Sequence, residues 1–466
     1  MKIKITQYNN FRYLIITALL FLFLFSFNST YAQAPGMWRQ QSTGDTNYTY
    51  NSVYFTNHLT GWVAGTHGKI FKTTDGGKIW IQQLTNSHLN YFQKITGLPT
   101  DTAGKFVFAC GYVLNSNPPS GIYQETTNGG TIWMNKTLNF LDFKNMYFIN
   151  AYTGFVIGGR YDSTQPNAGR ILRTTNGGTG GSGTIFSSYE DPSILNLGSF
   201  RSISFINTNT GWITATNTSN TTRLLKTTNM GNNWNLITNS LTDVYITDLK
   251  FINELTGFAC GGGANGGRAK LLKTTDGGNT WDMKTYIDAN SFNSMSWVLW
   301  YPPSGGTAWR GYVCGENGMV LRTDDLGNNW IVQITPNINN LNGIYFPFVN
   351  VGWAVGNNAD IITTPNGGVN VNNISAEIPS DYKIYQNYPN PFNPTTTIKF
   401  DVLKSSFVSL QVFFYMCRIV EELVNQNLKS GSYSVNWDAK SRPSGIYYYR
   451  ISTPDFTKTM KMSLVK

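Results

Sequence analysis

The residues best placed to do chemistry are acids and amides that return at one position: Asp75, Asn128, Asn176, Asn229, Asp276, Asp325 and Asn366. Each follows a short Thr-led pair and precedes a glycine by one or two residues, as in KTTDGGKIW (72–80) and KTTDGGNTW (273–281). A carboxylate in such a turn could act as a general acid or base, or hold a hard cation. The copies argue against both. Four of the seven carry Asn, which cannot exchange a proton and is a poor ligand for a hard cation. Asp and Asn can both accept the backbone N–H groups that a tight turn leaves unpaired, and glycine supplies the positive φ. The box is expected to hold shape and to perform no reaction.

The other reactive side chains make no stronger case. His58, His67 and His88 have no Cys or acidic partner at ligand spacing, so no metal and no cofactor is expected. The Gly-Gly pairs fall between strands rather than ahead of a helix, where a phosphate loop would need them. Glycoside hydrolysis by paired carboxylates requires two acids facing each other across the bond. Residues 33–375 hold 18 acids, three of them in boxes, and the rest show no clustering. Four cysteines in an exported chain suggest two disulfides. Yet Cys110, Cys260 and Cys314 each precede glycine in one recurring phrase, whose other copies carry Ala64, Ile157 and Val355. A slot open to Ala, Ile and Val is a buried apolar slot, and free thiols are expected there.

The net charge of +10 is spread out. Three charges belong to the first 32 residues; residues 33–375 hold 21 basic against 18 acidic side chains, and residues 376–466 hold 11 against 7. No run of Lys or Arg occurs, so a nucleic-acid partner is not expected.

The boxes punctuate an internal repeat, 41 to 53 residues from one to the next. Ahead of most boxes stands a second phrase, such as SVYFTNHLTGWVAG (52–65), DLKFINELTGFACG (248–261) and GIYFPFVNVGWAVG (343–356). Each alternates apolar and polar residues, breaks at a polar turn and alternates again, which reads as strand, turn, strand. A third strand carries Ile70-Phe71 or Leu271-Leu272, and a fourth begins at the Trp after the box: Trp80, Trp133, Trp234, Trp281 and Trp330. Four short antiparallel strands make a propeller blade. The seventh box, at Asn366, lacks its Trp, while Trp38, in MWRQQ, lacks its box. Joining the two predicts an all-β, seven-bladed β-propeller over 37–368 closed by the N-terminal strand, which removes two open sheet edges. The third repeat has Ile185-Phe186 where Trp should stand, after Gly-rich padding, so a longer turn and a looser fourth strand are expected.

The two ends read differently. Lys2, Lys4 and Arg12 precede an apolar run from Tyr13 to Phe27 and then STYAQA, which reads as a signal peptide over 1–32 with cleavage near Ala32 or Ala34. No transmembrane segment is expected after its removal. A polar linker (369–381) leads to 382–466, where short alternating segments such as SFVSLQVFF and SGIYYYRI predict a separate Ig-like β-sandwich of about seven strands.

Three resemblances follow. Thr274-Thr275-Asp276-Gly277-Gly278-Asn279-Thr280-Trp281 resembles the Asp box, or BNR repeat, of sialidase-like propellers, and the longer phrase is similar to the photosystem II assembly and stability factor family. Residues 382–466 resemble the C-terminal sorting domain of the type IX secretion system of Bacteroidota and their relatives. That likeness rests on Tyr388, Pro389, Asn390, Pro391, Phe392, Asn393 and Pro394, on Gly431-Ser432-Tyr433 before Trp437-Asp438, on Gly445 in SGIY, and on a basic end at Lys466. Phe414–Cys417 stands where that family commonly has an Asp-x-x-Gly turn. The tail's resemblance implies periplasmic passage, an outer-membrane translocon as partner, and secretion or attachment at the cell surface. Propellers with this box bind ligands on the face opposite it, which here would include Lys144, Arg201, Tyr245 and Arg268, with insertions at 115–121 and 161–169. The expected function is a non-catalytic scaffold for an extracellular protein or glycan. A sialidase-like or endoglucanase-like hydrolase is the alternative, although the Arg-Ile-Pro phrase of sialidases is missing.

Overall fold

The computed structural model describes residues 38–465 except 84–88, 115–119, 140, 161–167, 178–185, 190–193, 195–196, 218–220, 264–266, 301–307, 334, 337, 366, 368–370, 376–378, 415–417 and 440–441. The leader, His88, Asn366, Cys417, Lys466 and most of both insertions lie outside the described residues. Among the described residues no helix is long and apolar enough to cross a membrane.

Nine four-stranded antiparallel sheets form, seven of them within 39–364. Six of these seven are continuous in sequence, over 50–82, 90–139, 141–188, 199–241, 244–286 and 292–333. The seventh takes its first three strands from 341–364 and its fourth from Arg39–Gln41, with Arg39 opposite Thr363 and Gln41 opposite Ile361. These are propeller-like blades. Each inner strand packs beside the inner strand of the next sheet, and Leu341–Phe348 packs beside Tyr50–Phe55.

Aromatic side chains join one sheet to the next, because in every sheet but the second the inner strand carries, at or near its end, a large ring whose face is met by a ring from the second strand of the preceding sheet. Phe108 stacks on Phe148 at 4.1 Å, Trp212 on Phe251 at 3.8 Å, Phe258 on Trp297 at 3.8 Å and Tyr312 on Phe346 at 3.5 Å. After four of the boxes the Trp then meets the same ring edge-on: Trp80 on Phe55 at 6.0 Å, Trp234 on Phe205 at 6.0 Å, Trp281 on Phe251 at 6.1 Å and Trp330 on Trp297 at 5.9 Å. Trp38 meets Phe346 in this manner, at 5.8 Å and 85°. It holds the outer-strand place of the seventh sheet and is fully buried. In the first-to-second junction Trp62 packs on Gly104 instead, where a Cβ would sit 2.4 Å from the ring. In the third sheet the fourth strand is only Ser187–Ser188, both exposed, and Phe186 turns its edge to Tyr123 at 4.9 Å.

Cys110, Cys260 and Cys314 are free and buried, each across from the first residue after an inner-strand bulge (Lys94, Asp248, Ser294). Ala64, Ile157 and Val355 hold the same register.

Two further four-stranded sheets form from 371–464, one of Val371–Ser375, Gly431–Asp438, Thr395–Val402 and Lys383–Ile384, the other of Arg418–Leu428, Ser406–Phe414, Gly445–Ser452 and Thr457–Leu464. Their shared core includes Phe400, Leu410, Tyr433, Trp437, Tyr447 and Tyr449. The expected linker is corrected here. Val371–Ser375 pairs with Gly431–Asp438 as an edge strand, taking up backbone hydrogen bonds on a side of the sheet that has no other neighbour. Without the Asp-x-x-Gly turn the hairpin still forms, with Phe414 opposite Arg418 and two register shifts below it.

Candidate functional site

The boxes among the described residues are built alike whether Asp or Asn holds them. The Thr73 hydroxyl donates to Asp75 Oδ1 at 2.8 Å, and the same oxygen accepts the Ile79 amide at 3.0 Å. With Asn the contacts repeat: Thr126 to Asn128 Oδ1 at 3.0 Å and the Ile132 amide at 2.9 Å; Thr227 to Asn229 at 3.0 Å and the Asn233 amide at 2.9 Å. Thr174 reaches Asn176 at 2.9 Å, and Thr323 reaches Asp325 at 2.9 Å. Only one oxygen is used in common, and an amide supplies it as well as a carboxylate. Asp276 differs by accepting the Thr280 hydroxyl on Oδ2 at 2.5 Å. That bond, the Thr280 amide and the Thr274 hydroxyl lower its carboxyl to about 2.

The inner strands carry the second set of functional side chains. Every one of the seven has a bulge near its start, after Tyr50, Phe92, Phe143, Phe200, Ile246, Phe292 and Leu341. The extra residue re-aims a side chain, and a cavity of about 440 Å³ is lined by the inner strands of all seven sheets. At four bulges the extra residue ties one sheet to the next. Asn51 donates to Phe92 O at 2.8 Å, Thr247 to Phe292 O at 2.6 Å, Asn293 to Leu341 O at 2.9 Å and Asn342 to Tyr50 O at 3.1 Å. The second, third and fourth sheets place Gln93, Lys144 and Arg201 there instead.

This basic sector has a defined geometry. The Arg201 guanidinium lies 4.0 Å from the centre of the Tyr245 ring, and its Nε is buried without a hydrogen-bond partner. Burial lowers Arg201 to about 10, against the opposing pull of Asp142. Lys144 pairs with Asp142 at 2.5 Å and lies 5.5 Å from the Tyr112 ring centre. Further along the wall stand Lys94 and Lys250; burial lowers the Lys250 ammonium, with Asp248 opposing and Lys94 adding to the shift. Asp248 is tied into the wall by Ser202 at 3.0 Å, by its neighbour's amide at Leu249 (2.9 Å) and by the Met295 amide at 2.9 Å.

Of the four residues expected on this face, Lys144, Arg201 and Tyr245 line the cavity. Arg268 does not: it is exposed on the third strand of the fifth sheet, two strands outward from the inner wall. The bulges themselves were missed in the sequence. Their signal is a pair of consecutive non-apolar residues, Asn51-Ser52, Lys144-Asn145 or Thr247-Asp248, that breaks the alternation just before each recurring phrase. Among the described residues no group of His, Cys, Asp and Glu is placed to hold a metal.

In the two C-terminal sheets, the Tyr388–Pro394 loop fastens the strand Thr457–Leu464. Asn390 Oδ1 accepts the Ser463 amide at 2.9 Å, while Phe392 exchanges backbone bonds with Ser463 and Val465 at 3.0 Å each. The Phe392 ring is buried against Trp437, whereas Tyr388 is exposed.

Residues 386–466 match the family described as secretion system C-terminal sorting domain. No curated protein sequence matches the chain. Among solved structures, YCF48 bound to D1 peptide is similar at 17% identity and a TM-score of 0.50, over 71% of this chain and 99% of that one. YCF48 from Cyanidioschyzon merolae is similar at 16% identity and 0.50, over 70% and 98%. The GH74 xyloglucanase from Xanthomonas campestris gives 9% identity and 0.51, over 84% of this chain and 63% of that one. At these identities the likeness is one of fold. The chain is thus a β-propeller followed by a type IX secretion system C-terminal sorting domain, which leads it to secretion or to attachment at the outer cell surface.

Proposed function

We propose that this protein is an exported, non-catalytic binding scaffold: a seven-bladed propeller closed by its N-terminal strand, carried outward by an Ig-like sorting domain that meets the type IX translocon, and taking an extracellular protein or glycan at the mouth of its central channel. The observation that carries this reading is the convergence of Lys144, Arg201 and Tyr245 on one cavity, at the ends of the sheets opposite the boxes. The wall supports binding rather than hydrolysis. Among the described residues its lining holds one carboxylate, Asp248, whose oxygens are committed to Ser202, Leu249 and Met295. A similar fold bound to a peptide, in YCF48, is compatible with the scaffold reading. The test is an array of glycans and surface proteins probed with the mature chain, beside a hydrolysis screen on the same glycans. Binding that weakens in Arg201→Gln is expected; turnover of any glycan would revive the hydrolase.

A further inference from the structure

The channel mouth continues into a row of rings. His67 lies 6.0 Å from Tyr91, Tyr91 stacks on Tyr112 at 5.4 Å, and Lys144 sits over Tyr112. His67 is exposed, Tyr91 and Tyr112 are half-buried, and all three stand at the end of the sheets where the inner strands begin. The row then passes through Lys144 to Arg201 on Tyr245, so that it spans the first five sheets. His67 holds a left-handed backbone, at φ 56°, in the turn between second and third strands; in the sixth sheet the same turn places Asn317 at φ 58°.

Resting on the scaffold reading, we infer that this row binds an acidic glycan, a chain of sugars bearing uronate carboxylates. The C–H faces of pyranose rings pack on half-exposed aromatic rings, as apolar surface does on any flat side chain. The carboxylates find Lys144 and the fork of Arg201, which accepts a planar anion on two N–H groups. Four cations line the cavity, Lys94, Lys144, Arg201 and Lys250, against Asp248 and the adjoining Asp142. An acidic peptide fits less well. Peptide anchors need desolvated apolar pockets, and this wall is mostly amides, hydroxyls and cations.

The test is calorimetric titration of the mature full chain with linear oligogalacturonates and oligomannuronates, with their methyl esters, and with polyglutamate of matched charge. Binding of an oligouronate is expected, with its methyl ester weaker by about tenfold. Tyr112→Ala should weaken acid and ester alike by about tenfold, and Arg201→Gln should remove only the preference for the acid. Asp276→Asn, on the opposite face, serves as the folded control. Polyglutamate binding that equals the oligouronate and ignores Tyr112→Ala overturns the glycan inference and leaves the scaffold standing. The same holds if no oligouronate binds while the array yields a protein ligand dependent on Arg201. Cleavage of the oligouronate overturns the non-catalytic reading instead.

Discussion

Trp353 and Phe55 stack face to face with centroids 3.5 Å apart and planes 10° from parallel. They join the seventh sheet to the first, by the same contact that Tyr312 and Phe346 make between the sixth and the seventh. The seventh-to-first junction is therefore packed like those within the repeat, with Trp80 edge-on to Phe55, and Trp38 seals the sixth-to-seventh junction in the same way against Phe346.

Replacing Trp38 tests that seal. The ring is fully buried and meets Phe346 edge-on. Trp38→Ala should cost ~3–5 kcal/mol, read as a lower urea midpoint. A change within error of the wild type would mean that the outer strand of the seventh sheet is dispensable.

Asp276 and Asn128 make the same core contacts, so Asp276→Asn should leave fold and binding intact at neutral pH. Its effect belongs in acid. The folded carboxyl is depressed to about 2 by Thr280 and Thr274, so its contribution is full above the unfolded value of about 3.9 and fades as pH falls toward 2. Melting temperatures taken from pH 5 to pH 2 should fall less steeply in the Asn variant. An equal slope would show that the carboxylate adds nothing beyond what an amide gives.

Asp324 is the hinge of a buried charge cluster. Its oxygens accept Arg310 Nε at 2.5 Å and Arg322 Nη2 at 2.6 Å, and both arginines are almost fully buried. Burial opposes its ionisation, yet the two guanidinium groups hold the carboxyl well below its usual range. Asp324→Asn removes the carboxylate that the two buried guanidinium groups share and should cost ~3–5 kcal/mol, measured by chemical denaturation. Stability like that of the parent would show that other groups neutralise the pair.

The three buried thiols should be silent. Burial pushes Cys110, Cys260 and Cys314 upward, away from the thiolate that reacts. Thiol reagent at pH 8, followed by peptide mapping, should label none of the three in the native protein and all of them in urea. Native labelling of Cys260 would contradict the packing of its sheet.

The repeat was legible because each device leaves a residue behind. The Trp after the box, the Gly that turns it and the Cys, Ala, Ile or Val slot recur at fixed offsets, so the pairing of Trp38 with the seventh sheet could be read from what each lacked. The channel was legible only in part. Topology assigns Lys144, Arg201 and Tyr245 to the face opposite the boxes, but their approach to one cavity depends on bulges that shift one residue in each inner strand. Arg268 shares the face in sequence terms and yet sits two strands outward from the inner wall, a displacement that alternation alone does not reveal. The edge strand at Val371–Ser375 was hidden for another reason: its few polar residues gain strand structure from a partner sixty residues away.

The pairing of Arg39–Gln41 with Ile361–Thr363 also sets an order of events. During synthesis the opening strand emerges first and is satisfied last, after the whole array has followed it. Contacts so distant in sequence form slowly, and an unclosed sheet edge can recruit other chains meanwhile. Kinetic vulnerability in this protein thus concentrates at Arg39–Gln41 and the strand edge it pairs with, and a holding factor would serve it best by covering them until the seventh sheet has its fourth strand.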